Sequence, residues 1–217
     1  MEAAEKKILM DAELYAEELF RGESSGHGID HTVRVAKLAL TIAEKEDADL
    51  FAVALASLLH DADDVKLFPE TAEKKEHAVS FMREHGLSES FIGNVVRIMD
   101  QVAFRGTDSV VPDTLEGKCV QDADRLDAIG AIGVARAFSY GGSRGRRMYD
   151  PSDAPKAGMD EEAYRKSGSN TVNHFYEKLF LLKDMMNTGT ARRMAEERDR
   201  FMHSFMDEFM AEWNGER

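Results

Sequence analysis

The run Leu58-Leu59-His60-Asp61 sets two polar, metal-competent side chains next to each other at the end of a strongly apolar segment. Burying an imidazole and a carboxylate without partners is costly, so the pair must be hydrogen-bonded, ion-paired or ligated. A divalent ion satisfies both groups at once. Two further candidates of the same ligand types are His31, ahead of Thr32-Val33-Arg34-Val35, and Asp124, within Gln121-Asp122-Ala123-Asp124-Arg125-Leu126. A mixed imidazole and carboxylate set without thiolate suits Mn, Fe, Ni, Co or Zn and points to catalysis over a structural zinc cage. The alternative is a buried polar network that satisfies itself.

These residues need helices to position them. A segment over about 49–61 is apolar almost all round (Phe51, Val53, Leu55, Leu58, Leu59), the pattern of a helix buried on every side, which carries His60 and Asp61 inward. Asp30 can cap a second helix whose apolar face is Val33, Val35, Leu38, Ala39 and Ile42, with His31 in its first turn. The run Leu115 to Phe138 is helical in spacing, puts Asp124 and Asp127 on one face, and has Gly130 and Gly133 to allow a bend or a close approach. Residues 5–20, 71–85 and 88–104 read as scaffold helices, with Gly86 and Ser88 separating the last two.

Residues 139–169 are rich in Gly, Ser, Pro and charge, and a stretch this long in a compact domain predicts a functional, mobile flap. Two C-terminal helices follow, about 171–187 and 191–213, each with one apolar stripe; the methionines and the aromatics of the last are core fillers or a homodimer face. No period-2 pattern supports a sheet. The expectation is an all-α bundle of about eight helices in a single domain over 1–217, its core about 28–139 with helices 171–213 packed on it.

Composition sets limits on partners. Apolar residues make up 43% and charged residues 32% of 217, with four prolines, a balance suited to packed amphipathic helices. With 28 basic and 41 acidic side chains the formal net charge is −13, which repels nucleic acid polymers but allows a small phosphorylated molecule at a local cationic site. The longest apolar run, Leu50 to Leu59, is far shorter than the roughly 20 residues of a membrane span. A lone Cys119 and a charged N-terminal stretch lead us to expect a reducing cytoplasm.

The order His31, then His60-Asp61, then Asp124 in Ala123-Asp124-Arg125-Leu126 resembles the H…HD…D signature of HD-domain metal-dependent phosphohydrolases, a helical superfamily. The stretches 122–133, Tyr149-Asp150-Pro151 and Asn173-His174-Phe175-Tyr176-Glu177-Lys178-Leu179 are similar to its bacterial nucleotide pyrophosphohydrolase branch. The resemblance covers most of the chain. It implies one divalent ion, Mn²⁺ first with Ni, Co, Fe, Zn or Mg as alternatives, on His31, His60, Asp61 and Asp124. It also implies cleavage of nucleoside triphosphates, deoxynucleotides included, to monophosphate and pyrophosphate.

Such an ion lowers the pKa of a bound water and polarises a phosphate oxygen. Asp64, three residues after Asp61 and matching an acidic position in related enzymes, is the expected general base. Lys66, Arg144, Arg146 and Arg147 offer cations for phosphate; His174 and Lys178, one helical turn apart, offer a second basic pair; Tyr149 can stack on a base. Asp127 is expected to be a hydrogen-bonding partner beside the metal site or the substrate, and His27, between two glycines, a loop residue at the pocket mouth. His77, His85 and His203 carry no assigned chemistry. Rival functions are a phosphomonoesterase or phosphodiesterase acting on another small nucleotide, and a non-catalytic nucleotide-binding module. All four ligands being present disfavours the last.

Overall fold

The computed structural model describes residues 1–22, 28–65 and 67–217, with the backbone alone at 164 and 165. Within them lie ten α-helices, two short 3-10 segments and no strand, the all-α class the periodicity predicts. The chain divides into two compact units, Met1–Phe104 with Ser109–Asp124, and Arg105–Asp108 with Arg125–Arg217.

The first unit holds α1 (Ala3–Leu19), α2 (Ile29–Glu46), α3 (Leu50–Leu59), α4 (Glu76–Glu84), α5 (Glu89–Asp100) and most of α6 (Leu115–Asp127). Nine of the ten residues of α3 are buried, so it has no face for water and packs against α1, α2 and α5. Each fully buried leucine there, such as Leu55 or Leu59, contributes about 1.5–3 kcal/mol by leaving water. The Asp49 carboxylate starts α3 by accepting from the Phe51 and Ala52 amides at 2.9 and 3.1 Å. Ser88 caps α5 through the Phe91 amide, and Gly86, at φ +71°, ends the segment before it, as the sequence predicts. One cap differs: α2 starts after Gly28, and Asp30 lies inside its first turn, where a carboxylate helps through the helix dipole.

The second unit holds the end of α6, α7 (Gly130–Ser143), α8 (Glu161–Lys166), α9 (Thr171–Glu177) and α10 (Gly189–Trp213). The helix expected over 115–138 is two helices. Gly130 sits at φ +76°, which an α-helix cannot pass through, and a Cβ there would come within 2.9 Å of Arg198 Cγ. The helix expected over 171–187 also divides: Lys178, at φ −141° and ψ −59°, ends α9, and a 3-10 segment continues over Leu179–Met185. Phe138, Phe175, Phe205 and Phe209 pack at centroid distances of 5.5–6.3 Å, so part of the α10 stripe is core filler.

The Gly/Arg-rich stretch 139–169 is more ordered locally than its composition suggests. Its start completes α7 and its residues 161–166 form α8. Between them the Arg146 amide donates to the Gly141 carbonyl at 2.8 Å, and the Thr171 and Val172 amides donate to the Arg147 and Met148 carbonyls at 3.1 and 2.9 Å. Those two bonds satisfy amides that the first turn of α9 leaves open. Among the described residues no helix is long and apolar enough to cross a membrane.

Candidate metal centre

His60 follows the last residue of α3, and its position there fixes its chemistry. The Nδ1 proton is donated to the Ser57 carbonyl at 2.7 Å, which leaves the lone pair on Nε2. That Nε2 is buried and has no hydrogen-bond partner. It lies 3.3 Å from Asp61 Oδ2, the same oxygen that stands 3.6 Å from His31 Nε2. His31 Nε2 is in turn 3.4 Å from Asp124 Oδ1. The His31 and His60 rings meet edge to face, with centroids 5.3 Å apart.

Ligand atoms about 2.1 Å from one ion stand roughly 3–3.5 Å apart at neighbouring coordination positions. The three measured separations have that size, and one ligand atom each from His31, His60 and Asp124 all lie within 4.8 Å of one another. An aimed, unpartnered lone pair among two carboxylates and a second imidazole fits a divalent cation: the ion supplies the partner that Nε2 lacks. His31 is 2% exposed and the Asp124 side chain 25%, so the cluster is buried on one side and reachable on the other. Burial would raise the Asp124 pKa, but the His31 hydrogen bond and the charges of His31 and His60 outweigh it and hold the carboxyl below its usual value.

Asp64 stands one turn beyond Asp61, its amide donating to the Asp61 carbonyl at 3.1 Å, and its side chain is partly buried. Lys66 and His27 lie outside the described residues.

Sequence reasoning missed Asp63. It is fully buried, and its two carboxylate oxygens accept from the His77 and Ala78 amides at 3.1 Å each, capping α4 from across the chain. His77 Nδ1 reaches back to the Ala62 carbonyl at 2.9 Å. Lys75, the residue before α4, makes no side-chain cap bond, and nothing local in the sequence points to Asp63 as the acceptor. The turn bearing Asp61 and Asp64 is thereby tied to α4.

The remaining predicted residues belong to the second unit. Asp127 is buried and paired with Arg136. Arg144 is exposed and lies over the Tyr140 ring at 5.4 Å; Arg146 lies over the same ring at 5.5 Å. Arg147 is exposed and paired with Asp150 at 2.9 Å. Tyr149 packs edge to face on Trp213 at 5.5 Å. His174 lies in α9 and Lys178 ends it; burial and the charges of Lys178 and Arg146 push the His174 pKa down to about 3. In the first unit, burial and neighbouring acids push the Cys119 thiol up to about 12, so it supplies no nucleophile at neutral pH.

A family model, the HD domain, matches residues 28–129, the span that contains all four candidate ligands. The Bacillus subtilis protein YpgQ is 43% identical over 199 residues, covering 88% of this chain and 87% of its own. A crystal structure of YpgQ in complex with ADP superposes with a TM-score of 0.74 at 37% identity, over 94% of this chain and 97% of that one. A Lactobacillus plantarum protein gives a TM-score of 0.86 at 39% identity, over 97% and 98% of the two chains. An HD-superfamily hydrolase from Bacillus thuringiensis gives 0.74 at 36% identity, over 97% and 98%. Carrying a His/His/Asp cluster inside the matched span, the chain belongs to the HD-domain superfamily of phosphohydrolases, whose domains bind divalent metals.

Proposed function

We propose that this HD-superfamily hydrolase cleaves nucleoside triphosphates, deoxynucleotides included, to the monophosphate and pyrophosphate, with one Mn²⁺ on His31, His60, Asp61 and Asp124. The observation that carries the reading is the buried, unpartnered His60 Nε2 beside Asp61 and within ligand range of His31 and Asp124. The nucleotide class is supported by the ADP bound to a relative 37% identical. Mn²⁺ is among the ions that mixed nitrogen and oxygen donors suit, and it is the one the family resemblance implies first.

When bound, the ion supplies Lewis acidity toward a phosphate oxygen and acidifies a water. His31 and His60 present neutral nitrogens, while Asp61 and Asp124 offset the cation's charge. Asp64 takes the proton from the attacking water. The water oxygen bonds to the α-phosphorus, the bond from that phosphorus to the bridging oxygen breaks, and the electron pair leaves with pyrophosphate. His174 supplies an N–H and Lys178 a cation to phosphate oxygens.

The test is incubation with Mn²⁺ and a panel of NTPs and dNTPs, with products separated by anion exchange. The expected products are monophosphate and pyrophosphate, with His60→Ala and Asp61→Ala slower by about three orders of magnitude. Orthophosphate as the only inorganic product, or no turnover of any triphosphate, would overturn the reading.

A further inference from the structure

The second unit concentrates cations at one place in a chain whose net charge is −13. Gly141 lets the end of α7 approach the first turn of α9 closely, since a Cβ there would collide with the Thr171 hydroxyl. The chain then turns, with the Arg146 amide on the Gly141 carbonyl, and runs past α9 with the Arg147 and Met148 carbonyls on the Thr171 and Val172 amides. This docking brings Arg146 near His174 of α9, close enough that its charge, like that of Lys178 at the end of the helix, acts on the imidazole. The Arg146 guanidinium spans the Tyr140 ring at 5.5 Å and the Ser167 carbonyl at 3.4 Å.

We propose that Arg146, His174 and Lys178 form an oxyanion site that takes a phosphoryl group. The proposal rests on the nucleotide reading above and refines it by choosing Arg146 over its neighbours. Arg146, His174 and Lys178 are each partly buried, whereas Arg144 and Arg147 are exposed. Arg147 already has a carboxylate, Asp150, while among the described residues Arg146 touches a ring and a carbonyl but no acid. A partly desolvated guanidinium in that setting is suited to two parallel bonds to a phosphate, and the Tyr140 ring holds its plane. Burial first, and then the charges of Lys178 and Arg146, keep the His174 imidazole neutral, so it contributes one N–H without adding repulsion.

The experiment is calorimetric titration of the full chain in EDTA with inorganic pyrophosphate and, separately, with ADP, which distinguishes a free anion from a nucleotide's phosphates. The parent is expected to bind both. Arg146→Gln and Lys178→Gln should each weaken both by about tenfold or more, and Arg146→Lys should recover only part. Lys166→Gln removes the same charge from an exposed helix and should bind like the parent. Retained Mn²⁺ binding in Arg146→Gln shows that the variant is folded. His60→Ala should lose Mn²⁺ binding and turnover but keep pyrophosphate affinity.

A parent that binds neither anion, an Arg146→Gln that binds like the parent, or equal losses in Arg146→Gln and Lys166→Gln would overturn the site while leaving the metal reading standing. Full turnover by His60→Ala would overturn the metal reading and leave the anion site standing.

Discussion

The His60 ring donates from Nδ1 to the Ser57 carbonyl at 2.7 Å, three residues back in the same chain. A bond that is part of the helix end thus decides which nitrogen of His60 faces Asp61. The orientation is set by local backbone geometry before any ligand arrives, which turns Nε2 toward the carboxylates.

Asp63 ties the metal-bearing turn to α4, so its loss should be felt in both places. Asp63→Ala leaves two buried or half-buried amides without acceptors and should cost about 2 kcal/mol, which lowers the melting temperature of a chain this size by roughly 4–8 °C. Mn²⁺ affinity should fall about tenfold as the turn loosens. Thermal denaturation with and without Mn²⁺ measures both; a variant with the parent's melting temperature would refute the trans-cap.

His174 gives the protein an acid limit. Its folded pKa is near 3 against about 6.5 for a free imidazole, so the unfolded chain takes up the proton first. The stability from neutral His174 is therefore complete above pH 6.5, and is lost as pH falls toward 3. By pH 5 the loss is about 2 kcal/mol. Urea denaturation at pH 7 and pH 5 should show it, and His174→Gln should flatten the difference. An unchanged pH slope in that variant would contradict the assigned environment.

Gly130 divides α6 from α7. Gly130→Ala must hold a left-handed backbone with a Cβ against the Arg198 side chain, whose guanidinium bonds the Leu126 carbonyl. The expected cost is about 1–3 kcal/mol, read from the urea midpoint. A neutral effect would show that the break tolerates an ordinary residue.

Much of the candidate site was legible because its residue types have few other uses. Two imidazoles and two carboxylates on apolar helices constrain one another, and α3, buried almost all round, made the placement of His60 and Asp61 readable. The helix boundaries were less so. Spacing alone continued 115–138 past Gly130, because periodicity registers side chains and not the sign of φ. Asp30 looked like a cap because it is an aspartate before an apolar run, yet Gly28 fills that position with extended backbone. Asp63 was invisible to local patterns since its partners lie fourteen and fifteen residues on. The choice of Arg146 over Arg147 depends on where Gly141 meets Thr171, a tertiary contact that composition does not encode.

The central claim is that His31, His60, Asp61 and Asp124 hold a single divalent ion, and titration of EDTA-stripped protein with Mn²⁺ tests it most directly. Saturation should occur at one ion per chain. The metal should raise the melting temperature by about 5–10 °C when present at a hundred times its Kd. His31→Ala, His60→Ala and Asp124→Ala should each abolish that rise. Undiminished Mn²⁺ binding by any of the three would contradict the account.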